Sequence, residues 1–173
     1  NHFLCANAEQ IPVAMDQFDL VISSLMLQWC NELDAVFKEI KRILKPGGFF
    51  TFASFGPDTL KELRESWQQV DGHVHVNAFV DMHDVGDALM RNGLEGPVLS
   101  VEHIVLTYSE CKVLMQELKS IGAHNINTGR RKTLTGKKRL RRAMEHYETF
   151  RVDNKLPATY EIVYGHAWSP EQE

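Results

Sequence analysis

The sequence lacks the features that would point to a membrane, a secretory route or a metal-bound fold. No apolar run approaches the roughly 20 residues that cross a bilayer, and the first residues do not resemble a signal peptide. The three cysteines, Cys5, Cys30 and Cys111, are an odd number without the CxxC spacing of a zinc site. Thiols of this kind are typical of a reducing compartment, so we expect a cytoplasmic protein that does not bind a membrane.

Acidic residues are absent from one stretch of a chain that is otherwise acidic. The 173 residues have a net charge of −4, but residues 129–142 hold eight Lys and Arg residues and no acid. The remaining 11 basic and 23 acidic residues leave the rest of the chain at −12. One basic patch on an acidic body favours a localised anionic partner.

Apolar runs separated by a helical pattern describe the first third of the chain. The composition, 43% apolar and 24% charged, is typical of a globular domain with a sizeable core. Residues 2–5 form a short apolar run that predicts a strand, and the longer run at residues 18–24 predicts a strand buried on both faces. Apolar residues then recur at helical spacing. Pro46-Gly47-Gly48 is placed to end that helix before a strand at residues 49–55.

The next two helices have recognisable start and stop signals. Thr59 and Glu62 have the spacing of a capping box, before a helix whose core stripe continues to residue 70. A loop rich in histidine follows at residues 71–77. Asp81 can then cap a second helix, and Gly93 is placed to end it.

The order of the remaining patterns predicts an α/β fold. Strand patterns at residues 98–106 and 160–168 lie on either side of two helical patterns, which are separated by a polar loop. We therefore expect one domain in three consecutive parts. These are a core of sheet and helices at residues 1–107, a helical insertion with the basic patch at 108–152, and a final strand with the C-terminus at 153–173.

The first 55 residues resemble the class I methyltransferases that depend on S-adenosylmethionine (SAM). The resemblance is carried by Asp19-Leu20-Val21-Ile22-Ser23-Ser24 and by Lys45-Pro46-Gly47-Gly48-Phe49-Phe50-Thr51-Phe52. It implies a Rossmann-like, doubly wound sheet with a helical insertion before the last strand. No Gly-rich SAM loop precedes these runs. The resemblance thus implies that the first two strands are missing, together with that loop and the acid that holds the ribose.

The same resemblance implies cofactor contacts at two strand ends. Asn7 occupies a position where the family commonly has an Asp that meets the adenine amino group, and its amide oxygen can accept that bond. The backbone N–H of Ala8 would meet the adenine ring, although a simple strand-end turn is the alternative. Ser23, Ser24 and Leu25 follow the central strand at its carboxyl end, where ligands of open α/β sheets lie.

From residue 25 onward, short words in a fixed order resemble the malonyl-acyl carrier protein O-methyltransferases of biotin synthesis. This resemblance implies transfer of the SAM methyl group to the free carboxylate of a malonyl thioester on acyl carrier protein. Masking the charge makes physical sense because an unpaired carboxylate is costly to bury in an apolar channel. The words include Gly56-Pro57-Asp58-Thr59-Leu60, Asp81-Met82-His83-Asp84, Leu134-Thr135-Gly136 and Tyr164-Gly165-His166-Ala167-Trp168.

The implied chemistry requires neither a general base nor a metal ion. A malonyl carboxylate is already ionised at pH 7 and is itself the nucleophile, so its alignment with the methyl group can supply the rate. We therefore predict no catalytic triad. His73, His75 and His83 are spaced without a fourth ligand, and we predict no metal site.

Four residues are candidates for substrate binding. Arg130 offers the bidentate clamp that suits a carboxylate, although it equally fits the surface cations around it. Tyr160, on the last predicted strand, has a hydroxyl that can orient the substrate, with core packing as the alternative. His75 and His83 bound a segment that we interpret as a loop over the active site.

The basic patch has three interpretations. Acyl carrier proteins are small and strongly acidic, so docking of the carrier fits the resemblance best. A solvated helix face is the plain alternative. Nucleic acid is disfavoured because the stretch has no interleaved aromatic residues and the rest of the chain is acidic. The candidates for carrier docking are Lys137, Lys138, Arg141 and Arg142.

The sequence is also compatible with other functions. A mitochondrial complex I assembly factor, an arginine hydroxylase, has a similar fold, and another small carboxylate could be the acceptor. A binding module is a third possibility, but without the first two strands the run at residues 18–24 would expose an apolar edge. We expect a monomeric enzyme, and we expect this chain alone to be inactive and to bind SAM weakly or not at all.

Overall fold

Single strands are separated by one or two helices along the chain in a computed structural model, which describes residues 2–123 and 136–171. Two short 3-10 helices, Leu27–Trp29 and Glu148–Phe150, join them. Within the described ranges, no helix has the length and apolar character needed to cross a membrane. The elements are β1 (Phe18–Ser24), α1 (Leu33–Ile43), β2 (Leu44–Phe55), α2 (Lys61–Gln68), α3 (Met82–Arg91), β3 (Glu95–Tyr108), α4 (Cys111–Ser120), α5 (Lys137–Tyr147) and β4 (Leu156–Trp168).

The strands form one mixed sheet in the order β1-β2-β4-β3. β1 pairs with β2 in parallel, from Phe18 opposite Leu44 to Ser24 opposite Ala53. β2 pairs with β4 in the antiparallel direction. A parallel pair joined by α1, followed by a late antiparallel strand, confirms the predicted α/β fold.

The chain folds into two compact units that alternate along the sequence. Unit 1 comprises the described parts of Asn1–Gly56, Val80–Glu102 and Ile162–Glu173, and unit 2 comprises those of Pro57–Phe79 and His103–Glu161. Helices α1 and α3 belong to unit 1, and α2, α4 and α5 belong to unit 2. The three-part division of the sequence into residues 1–107, 108–152 and 153–173 stays a prediction.

The core of unit 1 lies between one face of the sheet and the helices α1 and α3. Phe37 of α1 is fully buried, with its ring centroid 6.1 Å from that of Phe50 and 6.5 Å from that of Phe52. β4 adds Val163 to this core, and Gly165 lies beside it. A Cβ atom at Gly165 would lie 2.3 Å from Phe52 Cζ, so any larger residue at this position must displace the Phe52 ring.

The core of unit 2 packs α2, α4 and α5 around the first half of β4. Tyr147 is fully buried, and its hydroxyl donates a hydrogen bond of 2.7 Å to the Pro157 carbonyl. Leu114 of α4 and Leu156 of β4 are also completely buried. Since buried polar groups need partners, the Tyr147 bond holds α5 to the start of β4.

The two N-terminal strand predictions had different outcomes. β1 has the predicted bounds, but the prediction that both faces are buried was wrong, since Leu20 is 48% exposed and Ile22 67% exposed. The strand predicted at residues 2–5 is absent, and Phe3 there is 97% exposed. A strand needs a hydrogen-bonded neighbour, and no described residue pairs with residues 2–5.

The Pro46-Gly47-Gly48 turn lies inside a strand rather than between a helix and a strand. α1 ends at Ile43 and β2 begins at Leu44, and the register with β1 shifts across the turn. Gly47 has φ +70°, and a Cβ atom at Gly48 would lie 2.8 Å from the Lys45 carbonyl oxygen. The two glycines therefore allow a bulge that other residues would strain.

The capping box predicted at Thr59 and Glu62 does not form. Leu60, in the left-handed region at φ 55°, precedes α2, and the two side chains bond to β4 instead. Thr59 Oγ1 donates to the Glu161 carbonyl, and the buried Glu62 carboxylate accepts hydrogen bonds from the Thr159 N–H and hydroxyl. Long-range partners on β4 thus replace the local cap.

The remaining predicted elements are confirmed, with different ends. Asp81 caps α3 by accepting a hydrogen bond of 2.8 Å from the His83 N–H, and Gly93 follows the helix with φ +75°. The strand predicted at residues 98–106 extends over β3, and the one predicted at 160–168 begins earlier, as β4. Both helices predicted between them form, as α4 and α5.

Candidate functional site

A cavity of about 570 Å³ in unit 1 lies between the start of the chain and the 3-10 helix that follows β1. Asn7 and Ala8 contribute one wall, and Met26, Trp29 and Cys30 contribute another. The predicted residues Asn7 and Ala8 thus lie in a pocket lined by both polar and apolar groups. This is the usual character of a small-molecule site.

A tight turn holds Asn7 at the cavity. Its side-chain oxygen accepts a hydrogen bond of 3.1 Å from the Glu9 N–H, and its carbonyl accepts one of 3.0 Å from the Gln10 N–H. The Asn7 amide oxygen, which the resemblance assigns to adenine, therefore already accepts one hydrogen bond, from the Glu9 N–H. This bond is the one expected for the alternative interpretation, a simple turn at the end of a strand. An amide oxygen has two lone pairs, so it can accept a second bond.

An ion pair on α1 fixes the chain just beyond this turn. Glu39 accepts hydrogen bonds of 2.8 and 2.9 Å from Arg42 and one of 2.9 Å from the Ile11 N–H. Arg42 also donates to the carbonyls of Ile11 and Val13, each at 2.8 Å. The hydrogen bonds from Arg42, and to a smaller extent the one from the Ile11 N–H, lower the pKa of Glu39 to about 2. Residues 11–13 are thereby tied to a rigid helix.

The other predicted cofactor residues lie at the carboxyl end of β1. Ser23 is buried, and its hydroxyl has no hydrogen-bond partner among the described residues. Ser24 is exposed. Leu25 adopts φ 49°, and its N–H donates a hydrogen bond of 2.8 Å to the Ala53 carbonyl. A left-handed conformation costs a residue other than glycine about 1–2 kcal/mol, and such strain is often found at functional sites.

His75 is held in unit 2 by a carboxylate and an aromatic ring. Its Nε2 lies 2.7 Å from Asp71 Oδ1, and its ring stacks on Trp67 with centroids 3.9 Å apart and an interplanar angle of 10°. Only 11% of the His75 side chain and 13% of the Asp71 side chain are exposed. The predicted substrate residue is therefore fixed in one orientation.

The other three predicted substrate residues have different surroundings. His83 is 80% exposed, belongs to unit 1 and bonds to Asp81, as plain capping requires. Tyr160 is half-buried against the core of unit 2, where burial raises the pKa of its hydroxyl and the hydrogen bond with Tyr108 opposes the rise. Arg130 lies outside the described residues. These three roles stay predictions.

Helix α5 presents its cations outward and its apolar side chains inward. Lys137, Lys138, Arg141 and Arg142 are all exposed. Arg141 pairs with Glu145 at 2.8 Å, whereas the other three form no ion pair within residues 2–123 and 136–171. The predicted docking residues thus form one accessible basic surface.

Sequence reasoning missed a polar cluster in unit 2. Asp58, His103 and Glu161 bring three possible ligand atoms within 4.8 Å of one another. Lys61 already pairs with Asp58 at 3.0 Å and lowers the pKa of that carboxyl, and Glu161 accepts a hydrogen bond from the Asp58 N–H. The geometry is that of an ion-pair network. The residues are too far apart along the chain for any sequence signal to group them.

The chain is similar to known methyltransferases in sequence and in fold. Residues 1–52 match the family model of the methyltransferase domain. A Bacillus halodurans protein assigned as a methyltransferase has the same fold. It has a TM-score of 0.63 and 16% identity, with 95% of this chain and 70% of that chain covered. The chain therefore has the fold of the class I methyltransferases, as predicted.

Proteins similar to this chain in sequence belong to one kind of methyltransferase. The malonyl-[acyl-carrier protein] O-methyltransferase of Methylovorus sp. is 52% identical over 170 residues, which are 98% of this chain and 57% of the relative. The biotin biosynthesis bifunctional protein BioHC of Saccharophagus degradans is 44% identical over 92% of this chain and 30% of the relative. The chain thus spans little more than half the length of the Methylovorus protein. Over nearly all of its own length, it is related to the malonyl-[acyl-carrier protein] O-methyltransferases.

Proposed function

We propose that the full-length protein containing this chain methylates the free carboxylate of malonyl-acyl carrier protein, with SAM as the methyl donor, in the cytoplasmic synthesis of biotin. The observation that carries the proposal is the 52% identity to a malonyl-[acyl-carrier protein] O-methyltransferase over 98% of this chain. The relatives described above do not favour the alternative of an arginine hydroxylase.

We assign the adenine end of SAM to the cavity at Asn7. Met26 and Trp29 supply apolar surface for a flat ring, and the Asn7 oxygen can accept a bond from an amino group. The buried Ser23 hydroxyl lacks a partner among the described residues, so it is a polar group that a bound ligand can satisfy. SAM, when bound, supplies an electrophilic methyl group. This chain's residues hold one end of it.

Positioning of the acceptor is the task of the substrate residues. A malonyl carboxylate is ionised at pH 7 and needs no base, so catalysis depends on holding one of its oxygens in line with the methyl group. We assign that task to Arg130, His75 and Tyr160. The rigid stack of His75 on Trp67 supports its role, because orientation is useful only when the donor itself is fixed.

The exposed cations of α5 are proposed to dock the carrier protein. Lys137, Lys138, Arg141 and Arg142 lie on the solvent side of a helix whose buried side chains anchor it to unit 2. An acidic carrier would be steered to such a surface, and the attraction would weaken as salt screens it.

The test is methyl transfer by the full-length protein, followed by mass spectrometry of the carrier. We expect malonyl-carrier to gain one methyl group as an ester. Acetyl-carrier, which lacks the free carboxylate, serves as the matched control and should gain none. Methylation of both carriers, or of neither, would contradict the proposal.

A further inference from the structure

Asp71 lies between His75 and the basic helix α5. Its Oδ1 accepts hydrogen bonds from the His73 N–H at 3.1 Å and from His75. Its Oδ2 is buried without a hydrogen bond from any described residue, and Arg139 Nε lies 4.0 Å away. One carboxylate thus contacts the histidine loop with one oxygen and faces α5 with the other.

This carboxylate is held in its charged form. Burial favours protonation, but the hydrogen bonds from His75 and from the His73 N–H outweigh it and keep the pKa of Asp71 below its ordinary value. A charged, mostly buried carboxylate costs free energy unless cations or donors surround it. His75 and Arg139 are the groups that offset this cost, so the charges of Asp71, His75 and Arg139 depend on one another.

The hydrogen bond also decides what His75 can present to a ligand. With Nε2 turned to Asp71 and the ring stacked on Trp67, Nδ1 is the ring nitrogen that remains for other contacts. A carboxylate partner commonly fixes the tautomer and the orientation of a histidine in this way. Without Asp71, the stack on Trp67 would still hold the plane of the ring, but the ring would lose the partner that selects which nitrogen carries the proton.

We propose that Asp71 is a positioning residue of the methyl-transfer site. It acts through His75, and its second oxygen links that histidine to Arg139 on the carrier-docking helix. The role of His75 in orienting the malonyl group rests on the proposed function. The structural part, that Asp71 sets the state of the His75 ring, does not.

The structural part is tested first, by nitrogen NMR of histidine side chains in the full-length protein without substrate. We expect one defined tautomer for His75 in the wild type and a mixture in Asp71→Ala, with the thermal midpoint confirming that the variant is folded. Asp81→Ala is the matched control, because Asp81 contacts His83 at the same 2.7 Å in an exposed pair. It should change the His83 signals and leave those of His75 alone. Unchanged His75 signals in Asp71→Ala would overturn the proposal.

The catalytic part is tested by a double-mutant cycle on methyl transfer to malonyl-carrier. Loss of a charge-assisted hydrogen bond predicts a fall in kcat of about tenfold or more for Asp71→Ala and for His75→Gln. Because Asp71 acts through His75, the double variant should lose no more than His75→Gln alone. Multiplied losses would show independent roles and refute the proposal. A wild type without activity would instead refute the proposed function, and the NMR result would still decide the role of Asp71.

Discussion

Replacing Glu39 with Gln should make the stability of the protein less dependent on acid. Glu39 and Arg42 pair on α1, only 17% of the Glu39 side chain is exposed, and together they hold residues 11–13 beside the cavity at Asn7. The Gln variant keeps the shape and one acceptor oxygen but removes the charge on which the pair depends.

The size of the effect follows from the lowered pKa. A fall from 4.5 to about 2 corresponds to about 3 kcal/mol, and solvent around the Arg42 side chain, which is 32% exposed, reduces the expected contribution to about 1–2 kcal/mol. The folded state holds Glu39 ionised to a lower pH than the unfolded state does. The stabilisation is therefore complete above about pH 5 and is lost as the pH falls from there towards 2.

Urea unfolding between pH 7 and pH 2.5 measures this contribution. The free energy of unfolding of Glu39→Gln should lie about 1–2 kcal/mol below the wild-type value at pH 7, and the difference should shrink steadily below about pH 5. Glu65→Gln removes the same charge at an exposed position on α2 without an ion pair among the described residues, and should change little at either end. A difference that stays constant with pH would show that the charge of Glu39 does not provide the stabilisation.

Three further predictions concern packing, hydrogen bonding and the substrate. Gly165→Ala should lower the free energy of unfolding by about 1–3 kcal/mol, because its Cβ would clash with Phe52, and Phe52→Leu in the same chain should restore part of the loss. Tyr147→Phe should cost about 1 kcal/mol in urea unfolding, since the Pro157 carbonyl loses its donor; an unchanged midpoint would contradict this. Arg130→Lys should raise KM for malonyl-carrier by about tenfold, because a lysine cannot form the bidentate clamp, whereas Arg131→Lys should not.

Local sequence patterns predicted a helix or strand correctly where the residues of the pattern bond and pack with near neighbours in the chain. They failed where the same residues bond to a distant strand. The apolar run that became β1 and the Asp81 cap of α3 formed with the predicted residues. Thr59 and Glu62 did not form their capping box because Thr159 and Glu161 on β4 offered them buried partners. No pattern within ten residues contains that information.

The sequence predicted some residues of the candidate site and missed others. Resemblance to a family singled out Asn7 and Ala8, which lie together at one cavity, and their contact with the cofactor stays a prediction. It also selected His75, but not Asp71, whose importance depends on a hydrogen bond within a loop and on the stack with Trp67. Three residues lie between Asp71 and His75, and this i, i+4 spacing indicates a contact only within a helix.

The proposed function is tested most directly by the preference of the full-length enzyme for malonyl-carrier over malonyl-CoA. Both substrates present the same carboxylate, so the preference measures docking of the carrier on α5. Reversing the charges of Lys137, Lys138, Arg141 and Arg142 should lower kcat/KM for malonyl-carrier by about tenfold at low salt, if each exposed cation contributes a few tenths of a kcal/mol. The value for malonyl-CoA should stay the same. Unchanged kinetics with malonyl-carrier at low salt, or an equal loss with both substrates, would contradict a carrier-docking methyltransferase.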